Sequence, residues 1–393
     1  MYILGLSCFY HDSAACLLRN GVPIGAASEQ AFSRKKHDSD FPKKAIEWLL
    51  AEAGITMEEI EAVSFYDKPI VKFERLLLSH LSTFPKSFPQ FVRGMPSWFA
   101  SKLRLDKHLK REFGYTGAIV YGQHHLSHAA SAYYCSGWDE AAVLTVDGVG
   151  EWSTASWGIG RGNKLDLLGE IRFPHSLGLL YSAFTSYLGF KVNSAEYKVM
   201  GLAPYGEPNH VDRIKQLIHI KDDGTFRLDM KHFTFDHGLR MYNKAFEDVM
   251  GQPTRPLETG ELTQFHKDVA RSLQEVVNEV MVALATRVVE ETGIDKLCLA
   301  GGVALNCVAN GKVLRGAPIS ELFVQPAAGD AGGAMGVALW TWHDLLDRKR
   351  EWTLDDVYLG PGYTEEETRA ALDSYGAVYR RLDDPELMPE VAA

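Results

Sequence analysis

The amino-acid sequence predicts an α/β protein with two lobes, each built from a β-β-β-α-β-α unit. Three observations favour this fold class. A strand–loop–strand–turn–strand pattern occurs twice, roughly 140 residues apart. A long amphipathic helix follows the second copy, and glycine-bearing turns come directly after several predicted strands. Together these features predict a nucleotide cleft between the two lobes.

The first copy of the pattern begins at the N-terminus. Asn20-Gly21 lies between two apolar runs and supplies the positive φ angles of a tight hairpin turn. Prolines and aromatic residues over 70–112 predict an irregular, partly helical insertion. Apolar periodicity predicts the remaining elements, which are strands over 3–7, 14–18, 22–27 and 61–66 and a helix over 43–50.

The second copy begins near residue 141. Apolar residues at steps of three and four predict a helix over 262–291, and Gly293 is a typical helix stop. A small-residue helix is expected to end near Trp342. The predicted strands of this half cover 142–146, 152–159, 165–171, 296–300 and 323–325.

Composition excludes several classes of protein. The 393 residues include 41 Lys and Arg against 51 Asp and Glu, a net charge of −10 that argues against a DNA-binding protein. The one compact basic cluster, 33–37, fits either an anionic ligand or a solvated turn. Five cysteines without a C-x-x-C motif indicate a reducing compartment. The N-terminus has no basic region of a signal peptide, and no apolar run reaches the ~18 residues of a membrane span, so a cytoplasmic location is predicted.

A histidine pair is the strongest local signal of chemistry. His124 and His128 are four residues apart on a predicted helix, so both imidazoles can reach one metal ion. Asp147 ends a predicted strand and is a plausible third ligand. The pair on its own fits equally an ordinary polar stretch of a helix and turn.

Turns follow four predicted strands, at 7–13, 147–154, 300–306 and 328–333, and the last three contain glycine. Glycines let the backbone approach a phosphate, and helix N-termini attract anions. None of the four is a Walker loop or a G-x-G-x-x-G motif, and each alone fits a plain strand–helix turn.

Seven short motifs occur in order between residue 1 and about residue 345. They are His11-Asp12-Ser13-Ala14-Ala15, Arg34-Lys35-Lys36-His37, His124-His125-x-x-His128-Ala129-x-Ser131-Ala132-Tyr133-Tyr134, Val146-Asp147-Gly148, Lys198-Val199-Met200-Gly201-Leu202-Ala203, Gly301-Gly302-Val303-Ala304-Leu305-Asn306 and Gly329-Asp330-Ala331-Gly332. This combination resembles the O-carbamoyltransferase family, which includes the nodulation-factor, cephamycin and aminoglycoside carbamoyltransferases. The family's first domain is similar to the tRNA threonylcarbamoyladenosine synthase subunit, which has an actin-like (sugar kinase/heat-shock/actin) ATPase fold.

The resemblance implies a chemistry. Carbamoyl-adenylate, made from carbamoyl phosphate and ATP with Mg²⁺, donates its carbamoyl group to a substrate hydroxyl. The family's divalent ion is held by two histidines and two aspartates, which map onto His124, His128, Asp147 and Asp330. This ligand set suits Fe(II) first, with Mn(II) or Zn(II) as alternatives.

The resemblance also implies further site residues. His11 and Asp12 follow the first strand as general base or anchor, and Lys36 with Arg34 faces the phosphate. His125 is interpreted as a structural neighbour of the metal ligands. The residues expected to contact the nucleotide or the carbamoyl group are Gly148, Gly150, Asn193, Glu196, Lys198, Gly301, Gly302 and Asn306.

Domain organisation follows from the same resemblance. Residues 1–350 are predicted to form the transfer domain, with lobes over about 1–140 and 141–350. Residues 351–393 are predicted to be a linker and the start of a domain that makes carbamoyl-adenylate, so that this step takes place on a domain acting in trans or on a longer protein. A homodimer is left open.

The acceptor and three alternative functions are also left open. The acceptor is a hydroxyl of an antibiotic, an oligosaccharide or another natural product. A tRNA threonylcarbamoyladenosine synthase-like subunit, an actin-like kinase and a non-catalytic nucleotide-binding fragment are the alternatives.

Overall fold

Two separate five-stranded mixed sheets form the framework of the computed structural model, which describes residues 1–392 apart from the side chains at positions 97, 100 and 101. The strands of the first sheet are β1 (Tyr2–Ser7), β2 (Ala14–Arg19), β3 (Val22–Ser28), β4 (Ile60–Phe65) and β5 (Ala118–Tyr121). Those of the second are β6 (Glu140–Val146), β7 (Ser153–Arg161), β8 (Lys164–Arg172), β11 (Lys296–Ala300) and β12 (Glu321–Val324). A small hairpin of β9 (Ile218–Ile220) and β10 (Phe226–Leu228) lies between β8 and β11 in the sequence.

The two sheets share one topology. The first has the order β3-β2-β1-β4-β5, and the second has the corresponding order β8-β7-β6-β11-β12. In each sheet the three consecutive strands pair antiparallel, and the two later strands add in parallel. Parallel pairs need crossover connections, and helices supply them here. The predicted two-lobed fold with duplicated units is therefore confirmed.

Helices connect and cover the sheets. In the first half they are α1 (Gln30–Ser33), α2 (Lys43–Ala53), α3 (Pro69–Thr83), α4 (Phe88–Ser97), α5 (Leu105–Phe113) and α6 (His124–Tyr133). In the second half they are α7 (Leu177–Tyr187), α8 (Glu196–Leu202), α9 (Val211–Ile214), α10 (Lys244–Met250), α11 (Gln264–Thr292), α12 (Cys307–Gly316) and α13 (Asp330–Trp340). Short 3-10 turns lie at Met57–Glu59, Ala203–Tyr205, Met230–His232 and Gly302–Leu305, and π turns at Trp98–Lys102 and Thr341–Leu345.

Helices α6 and α13 join the two halves. Helix α13, from the end of the second half, packs on β1 and β2, while α6, from the first half, packs on β6 and β11. The two helices also pack on each other. At their crossing Gly336 lies so close to Ser127 that an added Cβ would overlap the backbone carbonyl oxygen of Ser127. Side chains of both halves therefore share one buried core around α6 and α13.

The segment between β4 and β5 differs from the prediction. It was expected to be irregular and only partly helical, but α3, α4 and α5 cover most of 69–113. Its prolines are compatible with helices because Pro69 and Pro89 lie in the first turns, where the missing N–H has no helical partner, and Pro96 lies near a helix end. The helical spacing of leucine and phenylalanine is therefore a better guide to the structure of this segment than its proline content.

The turns that end predicted elements have the expected backbone. Asn20 and Gly21 have φ angles of 53° and 85°, as the hairpin between β2 and β3 requires. Gly293 has a φ of 71° and ends α11. Helices α7 to α10, between β8 and α11, are elements that the sequence analysis did not assign.

The chain divides into two compact units, Met1–Leu359 and Gly360–Ala393. The second unit contains α14 (Glu365–Ser374) and α15 (Asp384–Ala392), and no described residue of it is buried. Across the described residues, no helix combines the length and the apolar character that crossing a membrane requires.

Candidate metal centre and nucleotide cleft

Four buried side chains from three elements converge at one point. His124 and His128 lie one turn apart on α6 and are each 1% exposed. Asp147 follows β6 directly, and Asp330 is the first residue of α13. Because α6 and α13 pack on each other beside the end of β6, the residues from distant parts of the sequence become neighbours.

The distances within this group match the ligand shell of one ion. His124 Nε2 lies 3.0 Å from Asp147 Oδ2 and 3.7 Å from Asp330 Oδ1, and His128 Nε2 lies 3.8 and 3.6 Å from the same two atoms. The two Nε2 atoms are 3.2 Å apart. Ligand atoms at about 2.1 Å from a tetrahedral ion are about 3.4 Å from one another. The structure therefore brings all four predicted ligands together.

The electrostatics of the group favour a cation. Burial opposes ionisation of both carboxyl groups. His11 and His124 nevertheless hold the pKa of Asp330 well below its usual value. His124 and His128 likewise hold the pKa of Asp147 well below its usual value. Burial would lower the pKa of His128, yet its bonds to Asp147 and Asp330 raise that pKa to about 9. Two buried carboxylates thus remain ionised, and a divalent cation would compete with the proton on His128.

The donor set fits a transition metal. One ligand atom from each of the four residues lies within 4.8 Å of the others, and all four residues are buried. Two imidazole nitrogens with two carboxylate oxygens suit Fe(II), Mn(II) or Zn(II). His125 is oriented differently, because its Nδ1 is 2.7 Å from Thr145 Oγ1 and burial lowers its pKa to about 3.

Hydrogen bonds from the surroundings hold the ligands in place. The Gly302 amide donates to Asp147 Oδ1 at 2.9 Å, and the Tyr66 hydroxyl donates to Asp330 Oδ2 at 3.3 Å. The backbone amide of His124 donates to Glu151. Outer contacts of this kind fix the orientation of metal ligands, and the sequence analysis assigned no role to Tyr66 or Glu151.

A cleft of about 250 Å³ borders the centre. Asp147 belongs both to the centre and to the cleft wall, so the two sites are continuous. Of the predicted catalytic and nucleotide-contacting residues, those that line the cleft are His11, Asp12, Gly148, Asn193, Glu196, Gly302 and Asn306.

Four predicted site residues are not part of the cleft lining. Lys36 is exposed, with its Nζ 5.3 Å from the ring centre of Tyr197, which does line the cleft. Lys198 is exposed on α8. Gly150 lies against His124, since an added Cβ would come within 2.9 Å of that side chain. Gly301 has a φ of 94° and leaves room for the backbone of β6.

Asn306 lines the cleft but has structural partners. Its Oδ1 accepts from the Ala309 amide at the start of α12, and its Nδ2 donates to Gln274 Oε1. Glu196 is also engaged, because Oε1 accepts from the Ser182 hydroxyl and from the Asn193 amide, both at 2.9 Å.

A His–Asp–His chain lies on the cleft wall. Asp12 accepts from His11 Nδ1 at 2.9 Å and from His37 Nδ1 at 2.8 Å. His11 Nε2 lies 3.8 Å from Asp330 Oδ2. Burial would lower the pKa of His11, but Asp330 and Asp12 raise it to about 9. His37 was part of a motif that the sequence analysis singled out, yet it was given no role, because only the fold brings it to Asp12.

The topology and the buried centre define a two-lobed actin-like α/β protein with a His/Asp site beside its cleft. The model of the family described as carbamoyltransferase N-terminus matches residues 2–339, and the chain belongs to this family. The predicted family is thereby confirmed, as the duplicated sheet topology confirms the predicted fold class.

Three relatives illustrate the similarity. An uncharacterized protein, sll1178, of Synechocystis is 49% identical, with 100% of this chain and 66% of that protein covered. Nodulation protein NolNO of Sinorhizobium fredii is 36% identical over 90% of this chain and 49% of that protein. A tRNA N6-adenosine threonylcarbamoyltransferase of Polynucleobacter asymbioticus is 25% identical over 65% of this chain and 61% of that protein. The chain thus spans between about half and two thirds of the length of these relatives.

Proposed function

We propose that this chain is the transfer domain of an O-carbamoyltransferase, which moves a carbamoyl group from carbamoyl-adenylate to a hydroxyl of a small natural product or saccharide. The observation that supports this most is the four-residue His/Asp centre at the wall of the cleft, with His11 beside it. Family membership supports the same reaction type.

We assign His124, His128, Asp147 and Asp330 as ligands of a divalent ion, Fe(II) first, with Mn(II) or Zn(II) as alternatives and Mg²⁺ accompanying ATP. A bound cation would supply Lewis-acid polarisation of the carbamoyl or phosphate oxygens. The protein residues supply orientation and proton transfer. The cleft residues Asn193, Glu196 and Gly302 are proposed to contact the nucleotide or the carbamoyl group.

The proposed transfer step uses His11 as the proton acceptor. The acceptor oxygen forms a bond to the carbamoyl carbon, the bond from that carbon to the phosphate oxygen breaks, and AMP leaves with the electron pair. His11 takes the proton from the hydroxyl at Nε2, while Asp12 orients the ring through Nδ1. Asp330, which together with Asp12 raises the pKa of His11, is also a proposed metal ligand. A cation bound to Asp330 would lower the pKa of His11 and so favour its action as a base.

We assign the formation of carbamoyl-adenylate to a separate domain, within a longer chain or in trans. Residues 1–350 are the proposed transfer domain, and 351–393 the proposed linker and start of the next domain. No described side chain after Leu359 is buried, so this segment provides no second core. The five cysteines are free and four are buried, which fits the proposed cytoplasmic location.

The test supplies the Fe(II)-loaded chain with carbamoyl-adenylate and a panel of acceptors: an aminoglycoside, a hydroxymethyl cephem and an oligosaccharide. Mass spectrometry should detect one added carbamoyl group on an acceptor, together with AMP. His11→Ala should lower the rate by at least about 100-fold while metal content stays unchanged. His125→Ala is the matched control, since that side chain does not line the cleft. Nucleotide binding without turnover on any acceptor would identify a non-catalytic module instead.

A further inference from the structure

The three-helix insertion between β4 and β5 has a charge opposite to that of the chain. Residues 69–113 carry nine Lys and Arg against three Asp and Glu, a net charge of +6, whereas the whole chain carries −10. Helices α3 and α4 also present several large apolar side chains to solvent. A basic, apolar surface on an acidic protein indicates a partner that is anionic and apolar.

The exposed apolar side chains form regular stripes. On α3 they recur at Ile70, Leu78 and Leu81, and on α4 they recur at Phe88 and Val92, steps that place each set on one helix face. Phe84, in the turn between the two helices, packs edge-on against Phe88 with ring centres 6.5 Å apart. The patch residues, each between 45% and 78% exposed, are Ile70, Leu78, Leu81, Phe84, Phe88, Val92 and Phe99.

The helices that carry this patch are anchored to the body of the protein. Lys72, on the inner side of α3, is buried and its Nζ lies 2.7 Å from Asp67 Oδ2. Arg75 donates to the Gly150 carbonyl oxygen at 3.2 Å. The hydroxyl of Ser87 bonds to His80, which fixes the turn between α3 and α4. The patch is therefore a defined outer surface of the fold.

Two cations lie among the patch residues without an acidic partner. Lys86 and Arg93 are exposed, and among the described side chains neither has a carboxylate within 4.0 Å. At a twofold contact between two copies, the basic patch of one copy would face the same patch of the other. Repulsion between their like charges opposes such a contact. A nucleic acid would leave three exposed phenylalanines and several aliphatic side chains without an apolar environment.

We propose that the patch on α3 and α4 binds the surface of an anionic lipid bilayer. Phenylalanine and leucine side chains enter the boundary between head groups and acyl chains, and Lys86 and Arg93 pair with lipid phosphates. The 15 residues of α3 are about 22 Å long, shorter than the ~30 Å hydrocarbon core, so the helix lies on the membrane and does not cross it. This inference is independent of the proposed transfer reaction.

Vesicle co-sedimentation of the full chain tests this proposal. The chain should sediment with phosphatidylcholine vesicles that contain about 30% phosphatidylglycerol, and much less with phosphatidylcholine alone. Changing Phe84→Ser together with Phe88→Ser should weaken binding by at least about tenfold. Replacing Lys86→Gln and Arg93→Gln should weaken it by about 30-fold, since each cation contributes about 1 kcal/mol. An unchanged melting temperature in each variant would show that the variant retains its fold.

A matched control variant replaces two exposed leucines outside the patch, Leu239→Ser and Leu257→Ser. This variant should bind vesicles as the unchanged protein does. Equal binding by the phenylalanine variant, or no vesicle binding by the unchanged protein, would overturn the proposal. Tight binding of a short RNA duplex without vesicle binding would also overturn it, in favour of a nucleic-acid surface. A dimer that the same phenylalanine variant dissociates, again without vesicle binding, would assign the patch to self-association.

Discussion

At the scale of single residues, the four-residue centre combines short distances with strong charge coupling. Asp147 and Asp330 stay ionised although they are buried, because the histidines beside them lower their pKa values. Removing one partner would leave an unpaired charge in a buried site, which a protein tolerates poorly. This combination of burial and ionised carboxylates supports the proposed assignment of the group as a ligand set.

His128→Ala is expected to lower bound metal from about one ion per chain to below about a tenth of that, since three ligands remain from four. Elemental analysis after dialysis against a weak chelator measures this. His125→Ala is the matched control, because the neighbouring ring bonds to Thr145 and lies outside the ligand group. Full metal content in the His128 variant, with the fold intact by circular dichroism, would contradict the assignment.

His125 makes the metal-free protein sensitive to acid. Burial lowers its pKa from the ordinary 6.5 to about 3, so the unfolded chain takes up a proton at this group between pH 6.5 and 3 and the folded chain does not. The contribution of His125 to stability is therefore complete above about pH 6.5 and falls on acidification, by up to about 1.4 kcal/mol per pH unit.

Replacing His125→Gln should reduce this loss. Denaturant unfolding at pH 7.5 and at pH 5.5, in the presence of a chelator, measures the two free energies for each protein. The drop in unfolding free energy should be smaller in the variant by about 1 kcal/mol. An identical drop in both proteins would show that His125 takes up its proton equally in the folded state.

At the scale of elements, the crossing of α6 and α13 decides whether the centre forms. Helix α6 carries both histidines and α13 begins with Asp330, so the spacing between the helices sets the spacing between the ligands. Glycine at 336 permits the close approach, because any side chain there would meet the Ser127 carbonyl oxygen.

Gly336→Ala should destabilise the protein by about 2 kcal/mol or more and weaken metal binding, because α13 must move away from α6. Thermal unfolding and a metal titration measure the two effects. Gly201→Ala is the matched control: Gly201 lies in helix α8 with nothing within 4 Å of an added Cβ, so alanine there should be neutral or slightly stabilising. Equal stability of the two variants would refute the importance of this crossing.

At the scale of the whole molecule, the candidate centre and the cleft belong to one of the two compact units. The unit Met1–Leu359 contains the centre and the cleft, and the unit Gly360–Ala393 contains two exposed helices. Since the chain spans 66% of the sll1178 protein and 49% of NolNO, their remaining length has room for a second active site.

The chain alone should bind ATP or an adenylate and yet release no pyrophosphate when it is given ATP and carbamoyl phosphate together. The physical reason is that residues 360–392 bury no side chain and so build no second cleft. A coupled pyrophosphate assay and isothermal titration with a non-hydrolysable ATP analogue test the two parts. Pyrophosphate release that depends on both substrates would place the activation step within the first unit.

Local periodicity in the sequence predicted the duplication and the strands other than β5, β9 and β10, and the resemblance of its short motifs to a known family supplied the four candidate ligands. Over 70–112 the sequence predicted only a partly helical segment, since proline content outweighed helical spacing in that interpretation, whereas α3, α4 and α5 cover most of this segment. The sequence did not pair His37 with Asp12, or place Lys36, Gly150, Lys198 and Gly301 outside the cleft lining. Those relations join residues far apart in the chain or depend on the direction of a side chain. Only the tertiary structure fixes them, because backbone periodicity sets which face a residue occupies but not which distant residue it meets.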